Sequence, residues 1–305
     1  MVKADLHVHT SESDGKYGME EVVQRAIRSG VRVLALTDHN QAPEETFFQW
    51  LYQKYKDQIE LIRGAEISAN YVASNGRNVE LHIVALNFDS AKMEWLKKRR
   101  MDREGYVNAI RDKLALCGVQ IPTYDELQKL YPETKHLGRK HIAEWMYQNG
   151  IVPSVDAAFD IYIGAFGERR AFVESSEFRN YESMEEVIRL ILDAGGIPVL
   201  AHLFYYRLDD EEIHRLLQRF KACAGELAAM EVLYSRYVED KNLTERLFEL
   251  ANQYDILYSC GSDFHGQDEN EKLGYAFPAC FWNRMELRQT EMMLIQKLFK
   301  EGDEK

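Results

Sequence analysis

The chain has 305 residues, 46% of them hydrophobic, and a formal net charge of −12 at pH 7. That length buries a sizeable core as one large domain or a domain carrying an insertion, and the acidic balance excludes a protein that coats long nucleic acids by neutralising phosphates. The longest apolar runs, 31–36 and 197–201, fall far short of the roughly 20 residues of a membrane span, and Asp5, His7 and His9 interrupt any signal-peptide stretch.

Residues 3–9 read as a strand in which His7 and His9 point one way while Leu6 and Val8 point the other. Two converging imidazoles suit zinc, iron or nickel. Alone, His-x-His is a weak signal that surface histidines at a strand end explain more readily. Residues 20–29 read as an amphipathic helix closed by Gly30, and 31–36 as a strand that delivers Thr37-Asp38-His39-Asn40 to its C-terminal end. A helix over 44–55 precedes a strand over 59–67 that carries Glu66. The turn Ser74-Asn75-Gly76-Arg77 then leads into a strand over 79–86, delivering His82.

From Ala91 the pattern turns helical through Leu116, with further helices near 123–130 and 138–148 and no strand alternation. Residues 97–174 therefore read as a helical insertion, with 1–96 and 175–305 as the two parts of the domain it interrupts. Residues 96–175 hold 13 Lys and Arg against 11 Asp and Glu, so positive charge gathers in the middle of an acidic chain. Lys97-Lys98-Arg99-Arg100 with Arg103 reads as a solvated helix face.

Alternation resumes with a helix over 182–194, ended by Gly195-Gly196, and a strand over 197–201 with His202 at its end. Helix 209–221, strand 228–233, helix 239–253 and strand 256–259 follow, then Gly261-Ser262-Asp263-Phe264-His265-Gly266 and a last helix near 285–299. Cys117, Cys223, Cys260 and Cys280 are widely spaced and form no CxxC pair. They read as reduced thiols of a cytoplasmic protein.

Strand–helix alternation with polar residues at the C-terminal strand ends points to an α/β fold with a closed or nearly closed parallel barrel, the alternative being a doubly wound open sheet. Closure would gather His7, His9, Asp14, His39, Glu66, His82, His202, Asp263 and His265 around one cavity. Six of the chain's nine histidines fall in this set. Six imidazoles and three carboxylates are too many ligands for one ion and suit two or three in N/O sites.

The motifs DLHVHTSESDG, LALTDHN, RGAEIS, LHIVAL, LAH and GSDFH resemble those of the PHP family, the polymerase and histidinol phosphatase metal-dependent phosphoesterases. The resemblance implies a distorted seven-stranded β/α barrel with a helical insertion, which caps the substrate, and a trinuclear centre of manganese, iron or zinc. It would place one ion on His7, His9, Glu66 and Asp263, a second on Glu66, His82 and His202, and a third on Asp14, His39 and His265. Glu66 is the implied bridge, and Glu66, Asp263 and His202 would act through a metal-held hydroxide. Three divalent ions, three carboxylates and that hydroxide leave a charge of about +2, matched to a phosphate dianion.

The insertion with GRKHIAEWMYQNG resembles the nucleotide-acting subfamily, which has a similar Arg-x-His. Arg139 and His141 stand at a helix start, where free N–H groups favour anions and Arg adds a bidentate fork for a second phosphate. A capping and surface role is the alternative. Asp38 reads as orienting His39 or the strand end, and His136 and His214 as surface histidines. The chain departs from the family's Ala-His-Pro with Ala201-His202-Leu203, followed by Phe204-Tyr205-Tyr206. Those aromatics either pack under the barrel rim or stack on a base.

The expected function is hydrolysis of phosphomonoesters of small phosphorylated metabolites, nucleotides or nucleoside 3′,5′-bisphosphates first among them. A 5′-end exonuclease on short RNA, a histidinol-phosphate phosphatase, and a non-catalytic metal-binding module are the alternatives. No membrane partner is expected, and the sequence is silent on oligomeric state.

Overall fold

Short runs of small and branched apolar residues, separated by amphipathic helices, bury every described position of β2 (Val33–Leu36) and β5 (Ile197–Leu200), while longer strands leave their outer ends partly exposed. A computed structural model describes residues 2–98, 102–132, 134, 137–164, 167–173, 178, 181–266 and 271–277. It divides into two compact units, Met1–Lys98 with Tyr181–Lys305, and Arg99–Asn180.

The first unit contains β1 (Val2–Asp5), β2 (Val33–Leu36), β3 (Glu60–Val72), β4 (Asn78–Leu86), β5 (Ile197–Leu200), β6 (Ala229–Tyr234), β7 (Leu257–Gly261) and β8 (Tyr275–Phe277), in the sheet order β7-β6-β5-β4-β3-β2-β1-β8. The ends of the seven main strands meet. Leu6 N donates to Cys260 O at 3.1 Å, Asp263 N to His7 O at 2.9 Å and His9 N to Phe264 O at 2.9 Å, and Val8 bridges Phe264 in parallel. The result is a nearly closed seven-stranded barrel. β8, a strand that local periodicity does not reveal, pairs antiparallel with β1.

Two features differ from the parallel reading. β4 runs antiparallel to both β3 and β5, because the tight turn after Ala73, with Gly76 at φ +82°, folds the chain back as a hairpin. His82 therefore lies inside a reversed strand, opposite Ser68, rather than at a C-terminal strand end. The ladder of β1 also stops at Asp5. Leu6 joins the interior cluster and Val8 the cluster under the helices, so they do not share a face as regular alternation requires.

All seven barrel strands contribute to one interior cluster, including Ala4, Val33, Ala35, Ile62, Val84, Val199, Ala229 and Cys260. Leu34 and Leu36 face the other way, onto Val22, Val23 and Ala26 of α1 (Met19–Arg28) and Phe48 and Leu51 of α2 (Glu45–Tyr55). A larger cluster joins β3 and β4 to α7 (Met184–Asp193), α8 (Asp210–Ala224) and α9 (Lys241–Gln253).

The second unit packs α3 (Arg103–Leu116), α4 (Tyr124–Leu130), α5 (Arg139–Gln148) and α6 (Val155–Ala158), which runs on into a π-turn at Phe159–Ile163, around Ile110, Leu114, Leu127, Ile142 and Met146. Asp102, Thr123 and Ser154 cap α3, α4 and α6 through their side chains. Instead of one helical run from Ala91, a 3-10 segment at Ser90–Lys98 precedes α3. Among the described residues no helix is long and apolar enough to cross a membrane. Arg99 and Arg100, the Lys97 and Lys98 side chains, His136, Cys280 and the helix expected over 285–299 lie outside the described residues.

Candidate metal centre

Glu66, 1% exposed in the middle of β3, is the point on which the site converges. His82 Nδ1, His202 Nε2 and His7 Nε2 lie 2.8, 3.1 and 3.2 Å from its Oε1, and His39 Nδ1 and His9 Nε2 lie 2.9 and 3.3 Å from its Oε2. His7 and His9 approach each other to 3.2 Å between their Nε2 atoms, and Asp263 Oδ1 stands 3.6 and 3.2 Å from the same two atoms. Asp14 gathers the other side, with His265 Nε2 at 3.2 Å and His39 Nε2 at 3.6 Å. All nine residues singled out in the sequence are thus drawn into one continuous cluster.

The donor set fits divalent ions. Oε2 of Glu66 is buried without a hydrogen-bond partner although two imidazole nitrogens lie close to it, and His202 Nδ1 is buried without one too. Three groupings, His7-His9-Glu66, His39-Glu66-His82 and His9-Asp14-His39-His265, each bring one ligand atom per residue within 4.8 Å of the others. Imidazole nitrogen with carboxylate oxygen suits manganese, iron or zinc. Such ions would supply a Lewis-acid hold on a phosphoryl group and acidify a water beside it.

Electrostatics point the same way. Burial opposes the charge of Glu66, yet His82, His7 and His39 hold its carboxyl well below the ordinary range. Asp263 and Asp14 are likewise held down against burial, by His7 and His9 and by His265 and His39. Burial alone would lower the imidazoles, but Glu66 lifts His7 and His82 well above their usual value, and Asp263 and Glu66 lift His9 to about 9. His39 stays lowered, by burial. A cluster of this kind exchanges protons for metal.

The PHP domain family matches residues 5–239. The chain belongs to that family. It is a metal-dependent phosphoesterase, and the matched span ends before Asp263 and His265, which barrel closure carries back beside β1. A 5′-3′ exoribonuclease of Haemophilus influenzae is 33% identical over 266 residues, covering 86% of this chain and 90% of that one. A 3′,5′-nucleoside bisphosphate phosphatase of Chromobacterium violaceum is 26% identical over 300 residues, covering 94% and 98%. The solved structure of an amidohydrolase from Chromobacterium violaceum, with bound sulfate and no metal, is similar at a TM-score of 0.70 and 26% identity, covering 93% and 96%.

Around the PHP centre, neighbouring groups hold the cluster in place. Asp38 accepts from Thr10 N at 2.8 Å, Thr10 Oγ1 at 2.7 Å and Ser13 Oγ at 2.6 Å, so it pins the loop that carries Asp14. Tyr234 Oη donates to Asp263 Oδ2 at 2.9 Å. Tyr206 Oη accepts from His82 N at 2.9 Å and donates to Ala201 O at 3.0 Å, tying β4 to the segment after β5 that leads into His202. His202 and Asp263 both sit at positive φ, +29° and +55°, a strained backbone that such contacts maintain. Local pattern missed Glu231, buried in β6, whose Oε1 lies 2.7 Å from His7 Nδ1 and whose Oε2 accepts from His202 N at 2.7 Å. Its one sequence signal is a lone acid in the otherwise apolar run AMEVLY.

In the loop after His202, Leu203 and Tyr206 are buried and Phe204 packs on the core, whereas Tyr205 is 53% exposed with its ring 5.4 Å from that of His202. Rim packing describes most of the aromatic run. His214 is half-buried and lies 2.6 Å from Tyr254 Oη. In the second unit, Arg139 and His141 open α5. His141 Nδ1 accepts from Gly138 N at 3.3 Å, a capping contact, and Arg139 Nη1 reaches Ile163 O at 3.5 Å with its guanidinium 5.8 Å from the Phe172 ring. Burial lowers His141.

Proposed function

We propose that this phosphoesterase hydrolyses the ester at the 3′ oxygen of a 5′-phosphorylated ribonucleotide, with short RNA ends and nucleoside 3′,5′-bisphosphates as its substrates. The observation that carries the metal chemistry is the convergence of five imidazole nitrogens within 3.3 Å of the buried Glu66 carboxylate. His7, His9, Glu66 and Asp263 would hold one ion, Glu66, His82 and His202 a second, and Asp14, His39 and His265 a third, each manganese, iron or zinc.

The substrate rests on the relatives and on their shared chemistry. A 5′-phosphorylated RNA end and a nucleoside 3′,5′-bisphosphate present the same pair of groups, a 5′ phosphate and a phosphorus on the 3′ oxygen. Attack of water on that phosphorus expels the 3′ oxygen in both cases. It releases a 5′-mononucleotide, with phosphate from the bisphosphate or a shortened 5′-phosphorylated strand from RNA. In this reading the helical unit is the substrate cap, and Arg139 and His141 receive the 5′ phosphate through a guanidinium fork and a helix start.

The test is a panel assayed with manganese: a nucleoside 3′,5′-bisphosphate, short RNA with 5′-phosphate or 5′-hydroxyl, histidinol phosphate and an aryl phosphate. Turnover of the bisphosphate and 5′-phosphorylated RNA well above the other compounds is expected. Preference for histidinol phosphate, or metal binding without turnover of any compound, refutes the reading.

A further inference from the structure

We propose that Glu231 is a positioning residue that selects the metal-binding tautomer of His7 and couples His7 to His202, so that two of the ion sites are set by one buried carboxylate. The inference rests on the metal reading of His7 and His202 and goes beyond it to a residue that ligates nothing.

Glu231 is 1% exposed, and both of its oxygens are engaged, Oε2 by a backbone N–H and Oε1 by an imidazole nitrogen. A backbone N–H can only donate, so Oε2 must remain an oxygen where it meets His202 N at 2.7 Å. Oε1 stands 2.7 Å from His7 Nδ1. A carboxylate there demands a proton on Nδ1 and leaves Nε2, which faces Glu66, Asp263 and His9, as the nitrogen that would give its lone pair to an ion.

The backbone is shaped for this contact. Pairing between β6 and β7 slips in register between Glu231 and Leu233, an irregularity of the kind that re-aims a side chain. On the neighbouring strand, Gly261, the register partner of Tyr234, has no Cβ, and one placed there would overlap both His7 Cβ and Glu231 Oε1. His202, at φ +29°, is held in an uncommon conformation by the same carboxylate.

The proposal is tested by two substitutions with opposite expectations. Glu231→Gln keeps the shape but has one acceptor. His202 N–H takes it, so the amide NH2 faces His7 Nδ1 and drives the proton to Nε2, where it blocks ligation. Glu231→Asp keeps both acceptors but draws them back by one methylene. A tautomer role makes Glu231→Gln the more damaging change, whereas a packing role makes it the milder one.

The measurement is zinc titration of chelator-stripped wild type and both variants against a competing chelator. It is paired with melting of the stripped proteins and nitrogen NMR of histidines in the zinc-loaded forms. Expected are a roughly 10- to 100-fold loss of zinc affinity in Glu231→Gln, a smaller loss in Glu231→Asp, and disappearance of the wild-type His7 Nδ1–H signal only in the former. Wild type that binds zinc, with Glu231→Gln equal to it or milder than Glu231→Asp, overturns this inference alone. Wild type that binds no zinc overturns the metal reading together with it.

Discussion

Replacing Glu66 by Gln is the sharpest test of the centre, because it removes one charge while changing almost no volume. The residue is 1% exposed and is approached by five imidazoles at 2.8 to 3.3 Å. Without metal, His7 and His82 owe their raised proton affinity largely to Glu66, so they shed protons in the variant and the fold persists. Bound ions have no such escape. Losing one partner of a buried charge pair costs on the order of 3–5 kcal/mol, which is roughly 100- to 4,000-fold in affinity for the ions that share this carboxylate. Turnover at saturating metal should fall at least as far, since the variant also alters the charge against which the phosphate is held. Elemental analysis after dialysis, turnover as a function of manganese, and melting of the stripped protein separate the terms. A Glu66→Gln protein with full metal content and near wild-type turnover refutes the bridging role.

Asp263→Asn should lose metal and activity by orders of magnitude while melting like the stripped wild type; retained turnover would remove Asp263 from the centre. Exhaustive chelation should silence the enzyme, and activity persisting in protein shown metal-free by elemental analysis would make the site assignment wrong. Arg139→Ala should lower the ratio of bisphosphate to aryl-phosphate efficiency roughly 10- to 150-fold, as expected for a lost charged hydrogen bond of about 1.5–3 kcal/mol. An unchanged ratio in both Arg139→Ala and His141→Ala returns these residues to capping. His9 supplies a pH signature: burial lowers its proton affinity, but Asp263 and Glu66 raise it from 6.5 to about 9 in the metal-free fold. Its contribution, on the order of 3 kcal/mol, is complete below pH 6.5 and lost as pH rises through 9. Melting of stripped protein should therefore weaken over that window, and a flat profile contradicts the assignment.

Much of the candidate centre is legible in the chain because the residues that form it sit in short patterned segments. His7 and His9 flank one residue, His39 follows a strand, and Asp263 and His265 close the GSDFH run. Alternating apolar runs and helix caps also announce the α/β alternation and the helices found among the described residues of the second unit. These features depend on neighbours within a few residues, where backbone periodicity and side-chain polarity act directly.

What only the tertiary structure decided involves partners far apart in sequence. Closure of the barrel depends on hydrogen bonds between residues 6–9 and 260–264, and β8 becomes a strand only because β1 offers it an edge. Reversal of β4 cannot be read from alternation, which is the same in either direction; the turn and the pairing with β3 decide it. Asp38 reaches Thr10 and Ser13 rather than a residue beside it. Glu231 lies 224 residues from His7, and nothing in its own strand says which imidazole it will meet. A buried acid in an apolar strand must find donors, but their identity is set by which strand ends the closed barrel brings together.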